Sequence, residues 1–174
     1  MTETAYRYLL DVEIPATEVA VILDALEESA GGGGEAFGLR DRLGAAELRR
    51  QIEAQRIRVD ARSATAWPDF QRDIETLSTY LSEPIAGHEL RLDKGAGGAP
   101  PIASGAVILA RRGKVQHVPL RVVWDADQNE LTEQGVLAEP ASAAWTGLPD
   151  WVRAWLTNRG AAPRRDGTAH LEKV

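Results

Sequence analysis

The run "DADQNE" places Asp125, Asp127 and Asn129 at alternate positions, the spacing of the leading oxygen ligands of a calcium-binding loop. Such a loop also needs a glycine for its sharp turn and a bidentate glutamate that closes it, and Glu130 and Val136 occupy those positions. A polar turn between two strands is therefore expected. In "GAVILARRGK" Lys114 follows Gly113, but the glycine spacing does not make a phosphate-cradling loop, and Val115 stands where magnesium would need a hydroxyl. The run Gly31 to Gly34 follows a helical pattern instead of opening one. It reads as a helix stop, with no helix N-terminus behind it to hold an anion.

His88, His117 and His170 lie far apart and show no metal-binding spacing. On its alternating strand His117 shares a face with Arg121 and points away from Val118 and Leu120, so a solvated side chain is expected. Ser104 and Ser142 lack the flanking glycines of a nucleophile elbow. The carboxylate pairs Glu27 with Glu28, and Asp73 with Glu75, read as solvated helix faces. The chain has no cysteine, which excludes disulfides, thiolate metal sites and thiol nucleophiles. No catalytic, cofactor or metal residue emerges from these patterns.

Two features are left. Arg111, Arg112 and Lys114, with Arg121 on the adjoining strand, concentrate positive charge and could grip a phosphate or an acidic partner segment. Long basic side chains at a hairpin tip also serve to protect sheet edges. Trp151 and Trp155 are four residues apart, on one face of a helix that also holds Leu148, with Trp145 just upstream. They are expected to anchor this helix in the core, Trp155 more deeply than Trp151. Trp151 is the one expected to reach a partner if the face docks instead.

The elements that would position these residues follow from periodicity. "YRYLLDVEIP" alternates, with Tyr6, Tyr8, Leu10, Val12 and Ile14 facing a core and Arg7, Asp11 and Glu13 facing water. Thr17 is placed to cap a helix carrying Val19, Ile22, Leu23 and Leu26, and a second helix is expected from about Asp41 to Ala54. "RIRVDAR" is a strand. Phe70, Ile74, Leu77 and Leu81 then form a helical stripe between Pro68 and Pro84, and "HELRL" is a short strand. "DKGAGGAPP" is too rich in Gly and Pro to pack and is expected to be a flexible connection, a possible subdivision at 93–101. Beyond it, "IASGAVILA", "VQHVPLRVVWD" and "ELTEQGVLAE" form an antiparallel meander, followed by a helix from near Pro149 to near Gly160 and a mobile tail, 161–174.

A chain of 174 residues is long enough for one core, so residues 1–160 are expected to form a single domain. The net charge of −6 repels phosphate backbones, leaving only the Arg111–Lys114 tip for any nucleic acid. No stretch approaches the ~18 apolar residues of a membrane span, and no basic segment followed by an apolar run opens the chain, so a soluble cytoplasmic protein is expected.

The segments "RIRVDARSATAW", "QRD" and "GAVILARRGKVQHVPLRVVWDADQNELTEQGVLA" resemble the later half of YceI-like proteins. That resemblance implies a lipocalin-like barrel enclosing an isoprenoid chain. It covers under half of the chain, and residues 17–55 depart from it with two helical stripes where the family has strands. The leading expectation is an α+β protein, βααβαβ followed by a three-stranded antiparallel meander and a C-terminal helix. It would act without catalysis as an accessory or assembly subunit, contacting another protein through Arg111, Arg112, Lys114, Arg121 and Trp151. The alternative is a small apolar-ligand carrier with a YceI-like barrel.

Overall fold

The computed structural model describes residues 3–30, 38–140 and 142–161. The run Gly31–Gly34, His170 and the tail beyond Ala161 lie outside the described residues. Strand β1 (Glu3–Glu13) is followed by helices α1 (Val19–Ala30), α2 (Gly38–Leu43) and α3 (Ala45–Glu53), then β2 (Arg56–Ser63), α4 (Phe70–Thr79) and β3 (Ile85–Lys94). Strands β4 (Ile102–Arg111), β5 (Lys114–Asp125) and β6 (Glu130–Val136) complete an antiparallel sheet, and helices α5 (Ala143–Thr146) and α6 (Asp150–Ala161) close the described chain. The class is α+β. The expected single helix over 41–54 is broken at Gly44, whose φ of 84° is readily adopted only by glycine. Thr17 lies within a one-turn 3₁₀ segment, Ala16–Glu18, instead of capping α1.

The six strands run in the order β2-β1-β3-β4-β5-β6, so β1 lies between two strands that are distant from it in sequence. Leu10 is opposite Val59 on one side and Gly87 on the other. The Gly- and Pro-rich stretch joins β3 to β4, strands directly paired up to Asp93 and Ile102.

β1 is buried on both faces, which corrects the expectation of one buried face. Tyr8, Leu10 and Val12 point outward under the helix layer, where Ile22, Leu39, Ile52, Phe70 and Ile74 cover them. Leu9 points to the inner face, and Arg7 beside it is only 2% exposed. The Tyr8 hydroxyl accepts a hydrogen bond from the Trp67 backbone N–H at 2.7 Å, so a buried phenol keeps a polar partner.

Asp73 likewise departs from the expected solvated face. It is 1% exposed and accepts a hydrogen bond at 2.7 Å from the Gly38 N–H, tying α4 to the start of α2. Burial pushes its carboxyl up from 3.8 to about 6, with Asp69 adding to the rise while the Gly38 and Leu39 amides oppose it. The folded chain therefore binds this proton more tightly than the unfolded chain. The stability it contributes is complete below about pH 4 and is lost as the pH rises through about 6. Asp73→Asn keeps an acceptor for Gly38 but carries no charge. Its thermal midpoint relative to the parent chain is expected to rise between pH 4 and 7, and a pH-independent difference would contradict this placement.

The sheet is strongly curled. Three strand spacings of ~4.8 Å would separate β3 from β6 by about 14 Å in a flat sheet. Yet His88 Nδ1 on β3 lies 2.8 Å from Glu133 Oε2 on β6. Arg7 on β1, a further spacing away, donates from Nη1 to the Leu131 carbonyl of β6 at 3.3 Å. A bulge between Leu120 and Val122 in the β5–β6 pairing adds to the bend. The inner face thus closes on itself around Leu9, Leu90, Val107, Val118 and Leu131, and Val152 and Leu156 of α6 pack into it. No helix among the described residues is long and apolar enough to cross a membrane.

Candidate functional site

Alternation on each strand sorts the inner face into levels. At mid-depth, Leu9, His88 and Val107 come from adjacent paired positions, and Glu133 reaches them from β6. The His88 and Glu133 side chains are each 4% exposed. The contact rests on proximity, since its angles fall short of an aligned hydrogen bond. The pair bridges strands that do not pair directly, and so holds the curl.

One level nearer the N-terminal end of β1, Arg7 donates to both carboxylate oxygens of Asp60 at 3.2 Å and stands 3.8 Å from Glu130. Burial pulls its guanidinium below the ordinary value, and the Asp60 carboxylate pulls it back up. An ion pair at this depth holds the edge strand β2, β1 and β6 together.

Beyond Arg7 the inner face opens into a pocket of about 330 Å³, a volume at the low end for small-molecule sites. Ala5 and Trp124 supply most of its apolar surface, with Leu92 and Leu131 buried behind them, and Arg7, Arg62, Lys94 and Glu3 supply its charges. Trp124 is partly buried against the inner cluster and leaves part of its ring to the pocket. The mouths of curled and closed sheets are common ligand positions because side chains cannot fill the widening end. The opposite end is occupied by α6.

No family model matches the chain, and neither a curated protein nor a solved structure does. The site is therefore argued from its geometry alone.

Of the residues expected from sequence to make contacts, three share one turn, and Arg121 and Trp151 lie on other parts of the chain. Arg111, Arg112 and Lys114 are exposed at the β4–β5 turn, where Arg112 and Gly113 have φ of 49° and 78°, the left-handed pair of a tight hairpin. The turn is pinned to α4, since the Gly113 N–H donates to Ser78 Oγ at 2.9 Å. Arg121 is exposed at the β5–β6 bulge, well along the strand from the turn. His117 is exposed, as expected, and its Nε2 lies 2.7 Å from Gln71 Oε1 of α4. Trp151 and Trp155 are both only partly buried, and Val152 and Leu156, each the next residue along, are the ones that α6 buries. In the "DADQNE" turn, Asp125 Oδ1 accepts from the Asp127 and Gln128 amides at 2.9 and 3.1 Å, so this carboxylate shapes the turn. Among the described residues no cluster of His, Asp and Glu is arranged to hold a metal.

A larger cleft of about 690 Å³ lies at the other end of β1, lined by Asp11, Glu13, Glu18 and Glu83 with Arg56 as its cation. Its apolar residues, among them Val12, Ile14 and Leu81, are already covered by the helix layer. Trp155 of α6, only partly buried, adds a ring to its lining. The two sites differ in charge: four carboxylates and one guanidinium line the cleft, whereas three cations and one carboxylate line the mouth pocket, where Trp124 supplies the ring.

The buried polar residues of the inner face were partly legible. His88 shares strand parity with Leu90 and Leu92, and Glu133 with Leu131, which places both on an apolar face. Arg7 shares parity with Leu9 in the same way. Nothing local in the sequence announces that the curl buries all three positions.

Proposed function

We propose that this protein acts by binding a small ligand in the mouth pocket of its curled sheet. One observation carries the reading: the inner face is packed with side chains at mid-depth and filled by α6 at one end, while the other end keeps a hollow of about 330 Å³ with an apolar lining and a ring of polar groups. That combination, an apolar surface with a few placed polar groups, is what small-molecule sites share. The volume suits a short ligand better than the long isoprenoid chain that the YceI resemblance implies.

The test uses native mass spectrometry of the full chain purified from its own host. A small molecule retained at one per chain is expected, and Ala5→Phe, which places a ring in the hollow, is expected to abolish it while leaving the thermal midpoint nearly unchanged. A ligand-free parent chain in that measurement, with no small molecule recovered by extraction, would overturn the reading.

A second reading, docking to another protein, is favoured by the outer face of β4 and β5. The helix layer leaves Ile102 66% exposed and Val123 41% exposed there, near the exposed Arg121. The same measurement reports it as a protein-sized addition to the mass.

A further inference from the structure

We propose that the ligand of the mouth pocket is an anionic amphiphile, with an apolar body against Trp124 and Ala5 and a carboxylate at the rim between Arg62 and Lys94. The inference rests on the pocket being the ligand site and adds the chemical class. Three cations and one carboxylate line the pocket, in a chain whose net charge is −6. Asp60 and Glu130, which pair with Arg7 and Arg62, are not among the lining residues, so the groups that face a ligand are mostly cationic although each has a carboxylate beside or behind it.

The cations differ in how much of their donor capacity is engaged. Arg7 is buried, and its guanidinium is held by Asp60 and the Leu131 carbonyl, so it supplies positive potential from beneath. Arg62 makes a 3.5 Å contact with Glu130 while its side chain remains 57% exposed. Lys94 pairs with Glu3 at 3.6 Å, with side chains 44% and 74% exposed. Exposed pairs of this kind are weak and solvent-screened. A ligand carboxylate entering from the mouth can exchange them for charge-assisted hydrogen bonds in a less hydrated setting. A ligand ammonium would face both rim cations with Arg7 behind them, and a neutral head would gain no charge-assisted contact with either.

The apolar requirement is separate. The hollow continues the inner hydrophobic face, and covering Trp124 and Ala5, which are only partly buried, removes apolar surface from water. A bare inorganic anion lacks that contribution.

The experiment titrates the full chain with octanoate, octan-1-ol and octylammonium, which share an apolar chain and differ in head charge, and follows tryptophan fluorescence. Trp124→Phe assigns the responding ring. Octanoate is expected to bind at least ~10-fold more tightly than either analogue, the ratio for one favourable charged contact. Arg62→Ser with Lys94→Ser is expected to bring octanoate down to the affinity of octan-1-ol. Added salt should weaken octanoate and leave the alcohol unaffected, an arm that needs no variant. Equal affinity for octanoate and the alcohol, or tighter binding of octylammonium, overturns the anionic class and leaves the pocket as a ligand site. No response from Trp124 to any of the three at millimolar concentration overturns both.

Discussion

Replacing Glu133 by alanine is expected to destabilise the fold by about 1–3 kcal/mol or more, the range for leaving a buried polar group without its partner. Glu133 is 5% exposed and its Oε2 lies 2.8 Å from His88 Nδ1, across the closure of the sheet. In the variant the imidazole is left in an apolar setting with its neighbour gone, and the curl loses the contact that bridges β3 and β6. Urea unfolding of the parent chain and of Glu133→Ala measures the cost. Glu133→Gln keeps an acceptor of similar shape and is expected to lose less. The double variant His88→Leu with Glu133→Met, which removes both polar groups, is expected to recover much of the loss. A Glu133→Ala variant within about 1 kcal/mol of the parent would show that the pair is not what holds the inner face closed.

The second large effect belongs to the outer layer. Phe70→Ala is expected to cost about 3–5 kcal/mol, because a fully buried ring leaves both a transfer loss and a cavity. Phe70 is 1% exposed, and its ring lies 4.9 Å from that of Tyr8 and 5.0 Å from that of Trp67. It also fills the notch above Gly87, where an added Cβ would stand 2.9 Å from Phe70 Cζ and 2.3 Å from Ile74 Cδ1. Ring and glycine are complementary, so α4 seats closely on β3. Phe70→Leu should lose less than Phe70→Ala, since it leaves a smaller cavity. A near-neutral Phe70→Ala in thermal or denaturant unfolding would mean that α4 does not seat there.

The two expected losses differ in what they say about binding. Phe70 lies on the outer side of the sheet, away from the pocket, so a Phe70 variant that still folds should retain ligand affinity. Glu133 holds the curl on which the mouth depends. A Glu133 variant that still folds is expected to bind more weakly.

The sequence by itself determined the local elements and the faces of most strands. Val19, Ile22, Leu23 and Leu26 specify a helix by their spacing, and the alternation of Val118 with Leu120, and of Ile57 with Val59, specifies strands, because side-chain periods of 3.6 and 2 are properties of a short backbone segment. The order βααβαβ, the meander and the final helix follow from those periods and from the turn residues between them. The exposed basic turn at Arg111 to Lys114 was legible for the same reason.

What only the tertiary structure decided is which faces meet. Arg7 alternates with tyrosines and leucines and so reads as a residue facing water, but the curl brings β6 over it and buries it against Asp60 and the Leu131 carbonyl. Asp73 sits beside Glu75 on what reads as a polar helix face, yet the start of α2 arrives there and draws its carboxyl to the Gly38 amide. Trp151 and Trp155 dominate their helix by size, yet α6 enters the inner face along Val152 and Leu156. In each case the partner comes from an element far along the chain, and the closure is the sum of small twists and one bulge over all six strands. Periodicity records which residues share a face, but the mouth pocket is created by how far the whole sheet bends, a quantity that no short segment carries.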